Sequence, residues 1–181
     1  MTISLPSANI IPDKLINAKI YMEGKDELMG VGDAELPDVE FTTESIAGLG
    51  LAGELETPVM GHVKSLPFKF KFNVISTAAM VLLQTKTHHL EVYASIQRYD
   101  TASGELGSQP VKVVLKTLPK KVGMGKIEAA KKMDNEVELE CVYFKLWIGG
   151  EEVLEIDKLN FIYRVLGEDM LATVRRDLGM E

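Results

Sequence analysis

The sequence predicts a mainly β protein of the α+β kind: a two-sheet β-sandwich or barrel with one central and one C-terminal helix. Three observations carry this. Phe68, Phe70 and Phe72 alternate with Lys69, Lys71 and Asn73, which is the pattern of a strand with one buried and one wet face. Glu136, Glu138 and Glu140 alternate in the same way with Val137, Leu139 and Cys141. Gly149-Gly150 then follows a long apolar-alternating run, and a two-residue hairpin turn of type I′ needs positive φ at both positions.

The remaining elements follow in chain order. Residues 1–13 read as an N-terminal arm, because Pro6 and Pro12 resist helix while Ile3, Leu5, Ile10 and Ile11 suit docking. Residues 14–23 read as a strand with Ile16, Ala18 and Ile20 on one side and Asn17 and Lys19 on the other; Gly24-Lys25-Asp26 is a turn signal. Residues 34–43 form a second strand with Pro37 near its start. Residues 44–66 read as a long loop in which Gly48, Gly50, Gly53, Pro58 and Gly61 sit among Ile46, Leu49, Leu51, Leu55, Val59 and Met60. A loop with that apolar load either folds back as an irregular hairpin or is covered by another subunit.

Residues 77–87 read as a helix capped by Ser76 or Thr77, with Ala79, Met80, Val81 and Leu83 inward. Residues 90–99 and 110–118 are strands joined by a loop over 100–108, and Lys112 and Lys116 point away from Val111, Val113 and Leu115. Residues 120–135 are basic and exposed. Residues 151–157 return from the Gly149-Gly150 turn, and 158–165 continue extended. Residues 168–178 read as an amphipathic helix on Met170, Val174 and Leu178. Glu168 and Asp169 sit at its positive end, Arg175 and Arg176 near its negative end, and Gly179 stops it.

With 181 residues and 46% hydrophobic content, the chain fits one domain spanning 1–181 with a sizeable core. Twenty-seven acidic against 20 basic residues give a net charge of −7, which argues against gripping a phosphate backbone. It is compatible with a surface that nucleic acid slides past. Cys141 is the single cysteine, so no intramolecular disulfide forms. Met1 to Asp13 lack the layout of a secretory signal, and no run reaches about 18 apolar residues, so no membrane contact is expected.

No residue set reads as catalytic, and neither a cofactor nor a metal is expected. Gly48 to Gly53 spell G-x-G-x-x-G, but a dinucleotide site needs a strand before it and a helix after it, and Pro58 follows instead. Gly123-Met124-Gly125-Lys126 lacks the spacing of a phosphate loop. Adjacent His88 and His89 point to opposite faces of a strand and suit helix-end or surface positions. Cys141 is an inert buried thiol. Glu136, Glu138 and Glu140 form a solvated face, which in a closed β-assembly becomes a charged barrel wall that repels phosphate. Lys69, Lys71, Lys112 and Lys116 interleave with them if they share that face, and periodicity leaves open which face is which.

The run from Tyr143 to Asp157 (YFKLWIGGEEVLEID), continued through Asn160, Gly167, Asp169 and Leu171 to Arg175-Arg176-Asp177-Leu178-Gly179, resembles the major tail tube proteins of contractile-tailed phages and of R-type pyocins. Ile11-Pro12 near the start fits the same family. Departures are Leu166-Gly167-Glu168, where an Asn-Gly turn is common, and a longer acidic stretch at 23–40. The resemblance implies a structural protein, not an enzyme. It would assemble as hexameric rings whose strands close one β-barrel and stack into the inner tube of the tail. Ile46, Leu49, Gly50, Leu51, Gly53, Leu55, Val59 and Met60 of the 44–66 loop, with the N-terminal arm, would reach the next ring.

The implied partners are further copies of itself, the tail sheath protein, the tape measure protein, and the baseplate and tail terminator proteins. Double-stranded DNA would pass transiently without specific binding during genome ejection. The implied location is the virion tail, after assembly in the host cytoplasm. Alternatives are the tube of a headless bacteriocin or of a secretion system, and a monomeric β-barrel ligand-binding module.

Overall fold

The computed structural model describes residues 9–23, 26–28, 30–48, 50 and 52–180. It contains strands β1 (Ile10–Met22), β2 (Asp26–Glu27), β3 (Val31–Glu35), β4 (Phe41–Ile46), β5 (Leu55–Val63) and β6 (Pro67–Phe72), then helix α1 (Thr77–Val81). Strands β7 (His88–Asp100), β8 (Leu106–Val122), β9 (Asn135–Ile148), β10 (Glu151–Asp157), β11 (Ile162–Val165) and β12 (Glu168–Asp169) follow, with helix α2 (Ala172–Asp177) last. The mainly β expectation is met. Among the described residues, ten strands share one branched sheet, and β4 and β5 form a separate two-stranded hairpin.

The branched sheet closes on itself. β1, β7, β8, β9, β6 and β3 pair in that order, all antiparallel. Within a few residues of β3 the chain forms β2, which pairs back onto β1 at Tyr21 and Met22, and Leu28 N–H donates to the Ile20 carbonyl at 2.8 Å. Closure is confined to the Ile20 to Met22 end of β1. The inward side chains fill the barrel: Phe68, Phe70 and Phe72 from β6, Val137, Leu139 and Cys141 from β9, Val113 and Leu115 from β8, Leu90 and Val92 from β7, and Ile20 from β1. The interior is filled mainly by aromatic and branched side chains.

β9 is the branch point. Its first half, Asn135 to Glu140, pairs with β6, and its second half, Tyr143 to Ile148, pairs with β10 on the same edge. An irregularity at Val142 lets one strand serve both: Cys141 lies opposite Thr117, and Tyr143 opposite Lys116. The side-chain phase shifts there, so Phe144 joins the core rather than Tyr143. β10, β11 and β12 extend from the branch. At the turn into β10, Gly149 and Gly150 have φ of 63° and 89°, as the hairpin signal requires.

Several expectations are corrected. Residues 10–13 are not an arm but the first residues of β1; residues 1–8 lie outside the described residues, as do Gly24 and Lys25 of the expected turn. The 34–43 strand is broken: β3 stops at Glu35 and β4 starts at Phe41, because Pro37 offers no N–H to a ladder. The 100–108 loop shrinks to 101–105, where the Asp100 carboxylate accepts the Ala102 N–H at 2.8 Å and replaces missing ladder bonds. Residues 158–161 do not continue extended. Asp157 accepts the N–H groups of Leu159 and Asn160, each at 3.0 Å, and reverses the chain.

Both helices are shorter than expected. Ser76 caps α1 by accepting the Ala79 N–H at 3.3 Å, but the helix ends after Val81 and buries Ala79 with Leu82 rather than Leu83. α2 starts only at Ala172. Glu168 and Asp169 are spent on β12, and Met170 and Leu178 stay exposed. His88 is neither a helix-end nor a surface residue. It starts β7 fully buried, with Nε2 3.0 Å from the Gln84 carbonyl, while His89 is exposed on the other face.

Candidate assembly surfaces and the charged wall

The 44–66 segment is a hairpin. Ile46 pairs with Leu55, Glu44 with Thr57 and Thr43 with Pro58, with one irregularity near Phe41. The glycines of the G-x-G-x-x-G string therefore sit in the connection between two strands, and β5 rather than a helix follows it. Gly50 adopts φ 97° there, and Gly53 faces open space. Ile46, Leu55 and Met60 are exposed and Val59 is half-buried; Leu49 and Leu51 lie outside the described residues.

The hairpin is rooted at its base. The Phe41 and Tyr163 rings meet edge to face at 5.8 Å. Gly61, at φ 69°, lies under the buried Leu171 just before α2; a Cβ at Gly61 would collide with the Leu171 side chain. Two segments far apart in sequence thus lock together, one supplying a glycine and the other a leucine.

The register places the candidate wall residues on one side of the sheet. Lys69 lies across from Glu138 and Lys71 across from Glu136, on the face away from the phenylalanines. Lys112 and Lys116 lie across from Trp147 and Tyr143, on the face away from Val113 and Leu115. The glutamates are matched: Lys120 reaches Glu138 at 2.7 Å, Lys121 reaches Glu136 at 3.4 Å and Lys158 reaches Glu140 at 2.8 Å. The face is an interleaved lattice of both signs. Aromatic rings complete it. Lys112 sits 5.0 Å from the Tyr93 ring and 5.8 Å from that of Trp147, Lys145 is 5.1 Å from Trp147, and Lys116 is 5.2 Å from Tyr143.

Sequence reasoning missed the ion network on the branch. Glu155, only 7% exposed, accepts the Tyr143 hydroxyl at 2.9 Å and pairs with Lys145 and Arg164. Lys145 also holds Glu152 at 2.8 Å, and Arg175 holds Asp169 at 2.8 Å. The alternation of Tyr143, Lys145 and Trp147 against Glu152 and Glu155 across the Gly149-Gly150 turn was the available signal.

These pairs set a pH response. The Lys120 ammonium holds Glu138 below the usual carboxylate range, Lys145 does the same for Glu152, and Arg175 for Asp169. Burial pulls Glu140 up, but Lys158, Ser65 and the Leu66 N–H together hold it down. A carboxylate with a depressed folded pKa contributes stability above its unfolded value of about 4, and that contribution is lost as pH falls through the folded pKa. The melting temperature is therefore expected to be flat from about pH 7 to 5 and to fall below about pH 4. Asp169→Asn is expected to show a shallower fall. Melting curves across this range check it, and an equal slope in the variant would contradict the assignment. Cys141 moves the other way: burial, then the Glu140 charge, pushes its thiol up to about 12, so it stays protonated and inert.

Residues 12–179 match the family described as phage tail tube protein FII. This chain belongs to that family. The tail tube protein of Escherichia phage P2 is 25% identical to it over 174 residues, covering 94% of this chain and 99% of the phage P2 protein. Among solved structures it is similar to the sheath/tube terminator of the extracellular contractile injection system PVC in its extended state. That similarity has 11% identity and a TM-score of 0.49, over 81% of this chain and 98% of that one. The PVC sheath-tube complex gives 13% identity and a TM-score of 0.48, over 72% of this chain and 87% of that one. As an FII-family tail tube protein, the chain is a component of the virion tail.

Proposed function

We propose that this tail tube protein acts as one domain over 1–181, forms hexameric rings, and stacks them into the inner tube of a contractile tail through which the genome is ejected. The observation that carries the reading beyond family membership is the open margin of β1. Its outer edge from Ile10 to Lys19 has no strand partner among the described residues, and Ile11, Leu15 and Ile16 are exposed along it. β12 ends the branch on the other side. A barrel that closes internally, yet leaves one apolar margin on β1 and a short strand on the branch, is suited to pairing with neighbours on both sides. Pro12 and two irregularities near Asp13 and Ile16 break the β1 edge, so only a matching partner fits and indiscriminate pairing is blocked.

The charged wall of Lys69, Lys71, Lys112, Lys116, Glu136, Glu138 and Glu140 supports passage without adhesion, since charges of both signs interleave on it and no uniform positive field is offered to a phosphate chain. The tape measure protein during assembly, the sheath outside, and the baseplate and terminator at the ends complete the proposed set of partners. Obligate interfaces of this kind bury about 2,000 Å² or more, so rings are expected at micromolar concentration. Negative-stain electron microscopy with light scattering tests this: rings or tubes are the expected result, and a monomer at all concentrations would refute the reading.

A further inference from the structure

Charge is segregated along this chain, and the fold turns the segregation into two surfaces. Between Lys25 and Lys64 the sequence has nine carboxylates and no lysine or arginine. From Lys112 to Lys132 it has seven lysines and only Glu128 against them. The tip of the β4–β5 hairpin displays Glu44, Glu54 and Glu56 near the paired, exposed side chains of Ile46 and Leu55. The loop between β8 and β9 displays Lys126, Lys131 and Lys132 around Met124 and Ile127. Ile127 is 92% exposed, the highest value of any large apolar side chain among the described residues.

The hairpin surface is thus acidic, whereas the loop surface is net basic, three lysines against Glu128 and Asp134. Among the described residues, Glu44, Glu56, Lys126 and Lys132 take part in no ion pair, and none joins the hairpin to the loop. Lys131 meets Glu128, an exposed pair that exchanges easily for another. The two surfaces are rooted at opposite ends of β6. Leu66, at the hairpin's base, bonds to Cys141 N–H and the Glu140 carboxylate, whereas the loop is tied at the far end by Met133 N–H to the Asn73 carbonyl at 2.7 Å. The six residues between span roughly 20 Å, about the reach of the six-residue β4 arm beyond its root. Complementary patches displaced along one subunit make a head-to-tail contact that repeats from copy to copy.

We propose that the β4–β5 hairpin of one copy docks on the 123–134 loop of a second copy. Ile127 and Met124 pack against Ile46 and Leu55, while Glu44, Glu54 and Glu56 face Lys126, Lys131 and Lys132. This rests on the tube reading and deepens it by naming the surface that receives the hairpin. The charges set register and direction, and the apolar centre supplies the burial.

Two triple variants test it: Glu44→Lys/Glu54→Lys/Glu56→Lys, and Lys126→Glu/Lys131→Glu/Lys132→Glu. Alone, each presents like charges to its own copies and is expected to assemble at least tenfold more weakly than the unaltered chain. Mixed in equal amounts, they present matched rims and are expected to co-assemble. A mixture that stays dispersed, or either variant assembling normally alone, overturns the proposal. A normal loop-reversed variant would leave the loop to another partner, such as an acidic sheath surface. A second reading avoids charge reversal: chains carrying Leu55→Cys and Ile127→Cys are mixed under oxidation, with buried Cys141 silent. Cross-linked heterodimers are expected, and their absence in assembled material overturns the contact. If the unaltered chain never assembles, the tube reading itself falls; if it assembles while the variants fail to rescue each other, only the docking surface does.

Discussion

Phe70→Ala is expected to lower the unfolding free energy by about 3–5 kcal/mol, a large share of the reserve of a domain whose total is about 5–15 kcal/mol. Phe70 is the middle of three rings in contact, its centroid 5.3 Å from the tilted ring of Phe68 and 5.5 Å from the edge-on ring of Phe72. It lies beside Val137 across the β6–β9 ladder and is 1% exposed. β6 is also a stave that closes the barrel, held by β9 on one side and β3 on the other. Truncation leaves a cavity that neighbours on a closed sheet cannot collapse to fill. Lys69→Ala, one residue away on the wet face, is expected to change stability by less than about 1 kcal/mol. Urea denaturation of both variants checks the contrast. A Phe70 variant within 1 kcal/mol of the unaltered protein would mean that the barrel is not the cooperative core.

Gly61→Val is expected to cost about 2–4 kcal/mol and to disable assembly more than folding. The φ of 69° costs a side chain about 1–2 kcal/mol, and more for a β-branched one. Its Cβ would also collide with Leu171, and overpacking of a filled site adds about 1–3 kcal/mol. The strain falls on the root of the hairpin, outside the barrel. Relief comes by lifting β5 away from Leu171, which leaves the barrel folded and the hairpin misplaced. Thermal melting is expected to show a folded, weakened protein, and electron microscopy few or no tubes. Leu171→Ala in the same chain removes the collision but not the backbone strain, so partial recovery of assembly is expected. Normal tubes from Gly61→Val would show that hairpin placement is irrelevant to assembly.

Much of the fold was legible in the residues. Phe68 to Asn73 and Glu136 to Cys141 alternate because each strand has one dry face, and a period of two survives any arrangement of neighbours. Gly149-Gly150 marked its turn because few other pairs tolerate two positive φ angles. The short helices were overestimated, since a stripe such as Met170, Val174 and Leu178 supports a long helix only where all of it is buried, and here Val174 is half-buried while Met170 and Leu178 are exposed. The candidate surfaces were half legible. The apolar load of 44–66 was visible, but its rooting under Leu171 was not, because that contact joins residues over a hundred positions apart.

By itself, the sequence determined the mainly β class and the alternating strands, which depend on local periodicity, and the family, which showed in the resemblance of the Tyr143 to Gly179 run. Only the tertiary structure decided that β2 and β3 close the barrel, that β9 divides between two partners, and that lysines and glutamates share one face. Those outcomes depend on strand order and register, and a one-residue slip of any strand would exchange its two faces while leaving the sequence pattern unchanged.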